Sequence, residues 1–200
     1  MKKLPFALSV IIVSTLFVSC QKEVVSDIQG GAFSGTYKFI SMQVNSISTV
    51  QADFGVEVEK TVTISHYLSK DNSGTIKFEG SRLTSTDLSY SIDTIIKVYS
   101  YLDDVLYDSL DMTFQFSVPP SSATAPYKMI GSDSLYLSSG SMFMGDTTQQ
   151  TVPVGYKIRT EGDKLYMTYK HNSTSTQDTQ GITIVSTSEG SATSTFQKVK

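Results

Sequence analysis

The 200-residue sequence contains one cysteine, two histidines and no tryptophan. One cysteine excludes an intramolecular disulfide, and the few Cys and His residues form no cluster with the spacing of a zinc site. The chain also lacks a basic excess, since 16 Lys and Arg stand against 19 Asp and Glu, whereas nucleic-acid binding needs a basic surface. We therefore expect no metal ion, no other cofactor and no nucleic-acid partner.

No apolar run reaches the length of about 20 residues with which an α-helix crosses a bilayer. The longest run, residues 6–18, is interrupted by hydroxyl residues and follows the cations Lys2 and Lys3. A basic start, a short apolar run and then small residues are typical of a cleaved secretory signal. We predict a signal peptide over residues 1–19.

Residues 16–20 read Leu-Phe-Val-Ser-Cys and resemble the lipobox of bacterial lipoproteins. In that family a diacylglycerol is attached to the cysteine sulfur and the chain is cleaved just before it. The resemblance implies that Cys20 becomes the acylated first residue and that palmitate-like chains anchor the protein in a membrane, at about 0.8 kcal/mol per buried CH₂. A plain signal peptide with an incidental cysteine is the alternative.

Residues 20–34 are predicted to be a lipidated, flexible tether, because they contain Gly30-Gly31 and no regular apolar period. The tether starts with Gln21-Lys22-Glu23, which resembles the export signal of some surface-exposed Gram-negative lipoproteins; an ordinary solvated segment is the alternative. The expected location is the cell envelope, lipid-anchored at the outer membrane, on its periplasmic or its surface face.

Residues 35–200 are predicted to form one all-β domain, because Thr, Tyr, Val and Ile alternate along much of the segment. The clearest pattern is at residues 88–118, where apolar side chains occupy even-numbered positions on both sides of Asp103-Asp104. A two-residue turn there would place the two apolar sets on opposite faces. The register therefore requires an odd-length loop or a bulge.

Local signals predict about ten strands in all. In the first half of the chain we predict a short helix or a loop at 46–55, a hairpin at 62–78 that turns at 70–74, and a strand that ends at Pro119-Pro120. A loop at 121–125, a short strand at 142–144 and a loop at 145–153 are predicted to follow. The last predicted elements are a hairpin over residues 161–163, a loop at 171–181, and final strands at 181–185 and 193–199.

Gly35-Thr36-Tyr37 opens the first predicted strand and resembles the Gly-x-Trp start of lipocalin-like barrels, with Tyr37 in the place of the Trp. Residues 162–169 and 194–199 also fit that pattern. The resemblance implies an antiparallel, up-and-down, lipocalin-like β-barrel of about 8–10 strands, which we expect to be a monomer. A β-sandwich is the alternative fold.

Lipocalins bind small apolar molecules, so the resemblance implies a small apolar or amphipathic ligand. The inward-facing side chains that would line its cavity are Tyr37, Tyr90, Ile92, Ile96, Phe114, Phe116, Tyr156 and Ile158. In the alternative, these side chains fill a solid core, and the domain is a surface interaction or adhesion module that acts through the loops at 145–153 and 171–181.

No catalytic machinery is recognisable, since the sequence lacks a Gly-x-Ser-x-Gly elbow and a Ser-His-Asp arrangement cannot be identified from spacing. We therefore expect no enzymatic activity. Asp103, Asp104, Asp108 and Asp111 form the densest acidic group. Oxygen ligands of this kind suit a cation, but aspartates at a hairpin tip are also ordinary turn residues, and we predict a solvated turn.

Overall fold

The structure, a computed structural model, describes residues 33–138 and 153–200. This part of the chain is all-β, with nine antiparallel strands in one sheet. The predicted signal peptide, Cys20, most of the tether and the predicted strand at 142–144 lie outside the described residues. The strands are β1 Gly35–Asp53, β2 Val58–Leu68, β3 Lys70–Glu79, β4 Arg82–Leu102, β5 Val105–Ile130, β6 Ser134–Leu137, β7 Val154–Glu161, β8 Lys164–Thr179 and β9 Ile182–Lys198.

Backbone pairing runs round a closed ring. From β3 to β9 each strand pairs with the next, and β9 returns to pair with β1. β2 and β3 share one position in the ring, because both pair with β1 on one side and with β4 on the other. The prediction of an all-β, up-and-down, barrel-like fold is confirmed. The described residues contain no helix that is long and apolar enough to cross a membrane.

The hydrophobic core fills one end of the ring, which we call the closed end. The short strands β6 and β7 lie only at this end, and the chain enters here, since the ring of Phe33 lies 6.0 Å from that of Phe78 just before β1 begins. Inward positions of six strands supply the most deeply buried side chains: Phe39, Ile76, Leu83, Leu135, Leu137, Leu165, Met167 and Phe196.

Six long strands continue beyond the closed end, in the order β5-β4-β2-β1-β9-β8, and we call this region the open half. Among the described residues, positions 105–125 of β5 pair only with β4, and positions 170–179 of β8 pair only with β9. The inner face of the open half, continuous with the core, is called the trough below. It is open to solvent, because several of its large apolar side chains are exposed.

The predicted hairpin at 62–78 is wrong, because β2 and β3 run one after the other in the same direction. The polar residues that suggested a turn form a bend between them. Ser69 is buried at this bend, where its N–H donates to the carbonyl of Met42 and its hydroxyl hydrogen-bonds Asn72. The side chain of Ser69 thus replaces the pairing that the backbone loses at the bend.

Two segments predicted as helix or loop are strand. Residues 46–53 continue β1, and residues 171–179 continue β8, because both pair with β9 along their length. The last two predicted strands are likewise one strand, β9. Backbone pairing in these polar segments overrides the local turn and cap signals, since strand propensity depends strongly on the neighbouring strands.

The prediction that Pro119-Pro120 ends its strand is also wrong, because β5 continues to Ile130 and residues 121–125 pair with β4. The register skips the prolines, since Val118 pairs with Tyr90 and Ser121 pairs with Leu88. Proline lacks an N–H group and is tolerated at such irregularities and at sheet edges.

The predicted irregularity in the hairpin at 88–118 is confirmed. Leu102 pairs with Val105 across a two-residue turn, but Ser100 pairs with Asp108, which leaves Tyr107 as an extra residue. This bulge returns the apolar side chains of β4 and β5 to one face. The hairpin between β7 and β8, over residues 161–163, is confirmed as well.

Candidate functional site

The structure divides the predicted ligand-binding residues into two groups. Tyr37, Ile92, Tyr156 and Ile158 are buried, and Tyr90 packs against the core. These five side chains help to fill the interior at or next to the closed end. The other three, Ile96, Phe114 and Phe116, lie on β4 and β5 along the trough. Five of the predicted ligand-binding side chains therefore lie in the core or against it, and the remaining three lie in the open half.

An apolar wall lines the trough on β4 and β5. Its side chains share the inner face because Ile96 pairs with Met112, Val98 pairs with Leu110, and the next inner positions of β5 follow at intervals of two. The rings of Phe114 and Phe116 lie 6.5 Å apart and nearly parallel. The wall consists of Ile96, Val98, Leu110, Met112, Phe114 and Phe116.

The inner side chains of β5 are exposed although they face the inside of the ring. Leu110 is 55% exposed, Phe114 39% and Phe116 51%. Apolar side chains at such positions are normally covered by the core, so the wall is apolar surface that the described residues leave open to solvent. Alternation in the sequence already placed Val98, Leu110 and Met112 on this face, but it did not single them out as site residues.

A hydroxyl wall lines the trough on β1, β8 and β9. Ser188 pairs with Ser48 on one side and with Ser173 on the other, and Ser186 pairs with Ser175 in the next inner row. The wall consists of Ser46, Ser48, Ser173, Ser175, Ser186 and Ser188. Sequence reasoning missed this wall because it predicted a loop at 171–181 and a helix or loop at 46–55, so no pairing connected these serines.

His171 lies between the core and the hydroxyl wall. Its ring is stacked 6.0 Å from that of Tyr169, and its Nε2 lies 3.1 Å from Oγ of Ser188. Gly190 makes room for the ring, because a Cβ on this glycine would lie 2.8 Å from Cε1 of His171 and 2.5 Å from the carbonyl oxygen of Asn45. Among the described residues, no carboxylate hydrogen-bonds His171, so the His-Ser pair has no acidic third member there.

Two members of the acidic group, Asp103 and Asp104, form the turn at the tip of the β4–β5 hairpin. Asp103 and Asp104 adopt positive φ angles of 47° and 62°. The carboxylate of Asp103 accepts a 3.0 Å hydrogen bond from the N–H of Val58, and Asp104 forms an ion pair with Lys60. No cluster of three or more potential metal ligands occurs within the described ranges.

Burial raises the pKa values of tyrosines at the closed end, where Tyr37 lies, and near the junction between the core and the trough, where Tyr67 and Tyr90 lie. Burial, together with the neighbouring hydroxyl of Tyr67, raises the pKa of Tyr90 to about 12. Burial alone raises the pKa values of Tyr37 and Tyr67 above 10.0. These phenols are therefore neutral at physiological pH, and the junction carries no phenolate charge.

An open cleft of about 550 Å³ lies where β1, β9 and β8 are adjacent. Most of its lining side chains are on the outer face by register, including Asn45, Lys170 and Glu189. None of the predicted ligand-binding residues lines this cleft. The cleft meets the trough at Ser46, His171 and Gly190, which line the cleft and lie on the inner face by register.

No protein-family model matches this chain, and no curated protein matches it significantly. Membership of a family is therefore not shown. The likeness to lipocalin-like lipoproteins stays a resemblance of short motifs and of strand layout.

Proposed function

We propose that this protein is a lipid-anchored envelope protein whose trough binds a small apolar or amphipathic molecule. The observation that carries this proposal is the exposed apolar wall. Complete burial of one large apolar side chain contributes about 1.5–3 kcal/mol. A ligand that covered the exposed fractions of Leu110, Phe114 and Phe116 would gain part of that free energy from each.

A fluorescent probe tests the trough. N-phenyl-1-naphthylamine brightens in apolar surroundings, and the absence of tryptophan keeps the protein's own emission low. Ile96 faces the trough, whereas its neighbour Ile95 is 60% exposed on the outer face. We expect Ile96→Ser to weaken probe binding about tenfold and Ile95→Ser to leave it unchanged, because a lost apolar contact is worth about 1–2 kcal/mol. Equal effects of the two substitutions, or no probe binding, would contradict the proposal.

The anchor is proposed from the sequence, on the resemblance of residues 16–20 to a lipobox. We expect the protein to incorporate labelled palmitate in cells and to fractionate with the outer membrane. Cys20→Ala should abolish both properties, whereas Ser19→Ala, which keeps a small residue before the cysteine, should preserve them. A Cys20→Ala protein that still fractionates with membranes would refute the anchor without affecting the proposal for the trough.

The alternative function is a surface interaction or adhesion module without a small-molecule ligand. The solid core at the closed end is compatible with it. Of its two predicted contact loops, 171–181 is mostly strand and 145–152 lies outside the described residues. This alternative predicts that no apolar probe binds in the trough, so the Ile96 and Ile95 experiment separates the two functions.

A further inference from the structure

The apolar wall on β4 and β5 lies across the ring from the part of the hydroxyl wall on β8 and β9, whereas β1, which carries Ser46 and Ser48, is separated from β4 only by β2. Counting β2 and β3 as one position, the ring has eight positions, and β4 and β5 are separated from β8 and β9 by equal numbers of strands in both directions. The walls differ in length. Six residues separate Leu110 from Phe116 on β5, about 20 Å at about 3.3 Å per residue, whereas two residues separate Ser186 from Ser188 on β9, about 7 Å. Beyond the hydroxyl wall the inner positions of β1 and β9 are apolar, at Val50 and Ile184.

The trough is nearly free of charged side chains. Among the described residues, the inner positions of the open half carry no Lys or Arg, and their acids, Glu59 and Asp108, are near the strand ends farthest from the core. The charged side chains next to the walls point outward by register: Lys97 pairs with Asp111 on the outer face, and Glu189 also lies there. An ionised ligand group held between the walls, away from Glu59 and Asp108, would lose part of its hydration without gaining a Lys, Arg, Asp or Glu counter-ion there.

The hydroxyl wall favours ligand groups that are polar but uncharged. Each serine hydroxyl can donate one hydrogen bond and accept others, as sugar and glycerol hydroxyls do. His171, which bonds Ser188, adds another polar ring at the end of this wall nearest the core. The wall is therefore suited to a polar, uncharged partner with several hydroxyl groups, whereas the wall across from it is suited to a hydrocarbon.

We infer that the ligand of the trough is an uncharged, elongated amphiphile with a hydroxylated head, such as a glycoside or a glycerol ester of an acyl or alkyl chain. Its chain lies along the apolar wall on β4 and β5, and its head faces the hydroxyl wall on β8, β9 and β1. The inference rests on the proposed function and narrows its ligand class from any apolar molecule to neutral amphiphiles.

Two amphiphiles with chains of equal length but different heads test the ligand class. The mature chain, residues 20–200, carries Cys20→Ala so that no acyl group of its own competes for the trough. Dodecyl maltoside and dodecanoate, each below its micelle concentration at neutral pH, compete with the bound naphthylamine probe. We expect the maltoside to bind at least about tenfold more tightly, because dodecanoate carries an unpaired charge into the trough.

The results of this experiment separate the proposed function, binding of an apolar or amphipathic molecule, from the inference that the head of the ligand is uncharged. If the probe does not bind and neither amphiphile binds by calorimetry, the proposed function fails. If both amphiphiles bind with equal affinity, or dodecanoate binds more tightly, the proposed function stands and the inference of an uncharged head is overturned.

A charge introduced on either face of β9 gives a matched control. Ser186 is on the inner face, and its neighbour Thr187 is on the outer face. Ser186→Lys should reverse the preference in favour of dodecanoate, because the ammonium group supplies the missing counter-ion. Thr187→Lys adds the same charge outside the trough and should leave the preference as in the unmodified protein. A shift of equal size in both variants would overturn the placement of the head on this wall.

Discussion

The backbone N–H of Met42 donates a 2.7 Å hydrogen bond to Oγ of Ser69, which is 27 residues away along the chain. In return, the N–H of Ser69 donates a 2.8 Å bond to the carbonyl of Met42. Both residues are buried. This reciprocal pair holds β1 against the bend at which β2 passes into β3, and it lets one strand position of the ring be built from two segments.

Ser69→Ala should lower the free energy of unfolding by about 1–3 kcal/mol. The substitution leaves the buried N–H of Met42 without its acceptor, and an unsatisfied buried donor costs about this much. Urea unfolding followed by far-ultraviolet circular dichroism measures the change. Ser117→Ala, at an exposed position on the outer face of β5, is the control and should leave the midpoint almost unchanged. Equal midpoints for the two variants would show that the Ser69 hydroxyl is dispensable.

Gly190→Ala should destabilise the open half by about 1–3 kcal/mol, the usual cost of adding a carbon atom to a closely packed site. The added Cβ would meet the carbonyl oxygen of Asn45 and the ring of His171. Gly155→Ala in β7 is the matched control, because no atom lies within 4 Å of its Cβ position. Thermal unfolding of the two variants makes the comparison, and an unchanged melting temperature for Gly190→Ala would disprove the close approach.

Tyr90 should ionise with a pKa of about 12, well above that of an ordinary tyrosine. The folded protein holds this proton to higher pH than the unfolded chain, whose tyrosine pKa is 10.0. The free energy of unfolding is therefore highest below pH 10 and falls as the pH rises from 10 to 12. Tyr67→Phe removes the second cause of the shift and should lower the pKa of Tyr90. Tyr107→Phe, at a 63% exposed position, should not.

Deletion of Tyr107 should be tolerated, with a change in the free energy of unfolding within about 0.5 kcal/mol. The residue is the extra one in the bulge, so its loss lets the ladder run without interruption from the Leu102–Val105 pair. Deletion of Thr113 is the contrasting change. It moves Leu110 and Met112 to the outer face, because a one-residue slip reverses every side chain.

Probe binding in the trough distinguishes these two deletions. The variant without Tyr107 should keep the affinity of the unmodified protein, and the variant without Thr113 should lose at least about tenfold, since two side chains leave the apolar wall. Similar binding by both variants would contradict the register of the hairpin.

Alternation of apolar side chains predicted the β4–β5 hairpin closely. Even-numbered apolar positions on both sides of Asp103-Asp104 required an irregularity, and the structure supplies it at Tyr107. Alternation worked here because one face of the hairpin continues the core at Ile92 and Val118, which are both 5% exposed. A face that must be buried leaves a period of two in the sequence.

The serine- and threonine-rich strands of the open half could not be predicted in the same way. Residues 171–179 are polar on both faces, so no burial pattern distinguishes them from a loop. Their strand conformation comes from pairing with β9, a contact between distant parts of the chain that local composition does not record. The turn predicted at residues 70–74 was wrong for a related reason. Polar residues at a bend, where the chain keeps its direction, resemble those at a turn that reverses the chain.

Phe33 marks the end of the domain at which a lipid tether would join it. Phe33 is seated in the core where β1 begins, and the strands of the trough end at the far side of the sheet. Acyl chains on Cys20 would be 13 residues from this point, at most about 47 Å of extended chain. If Cys20 is acylated, as we propose, the tether would join the domain at the closed end, opposite the mouth of the trough. A ligand of the trough would then enter it at the end of the domain opposite the lipid attachment.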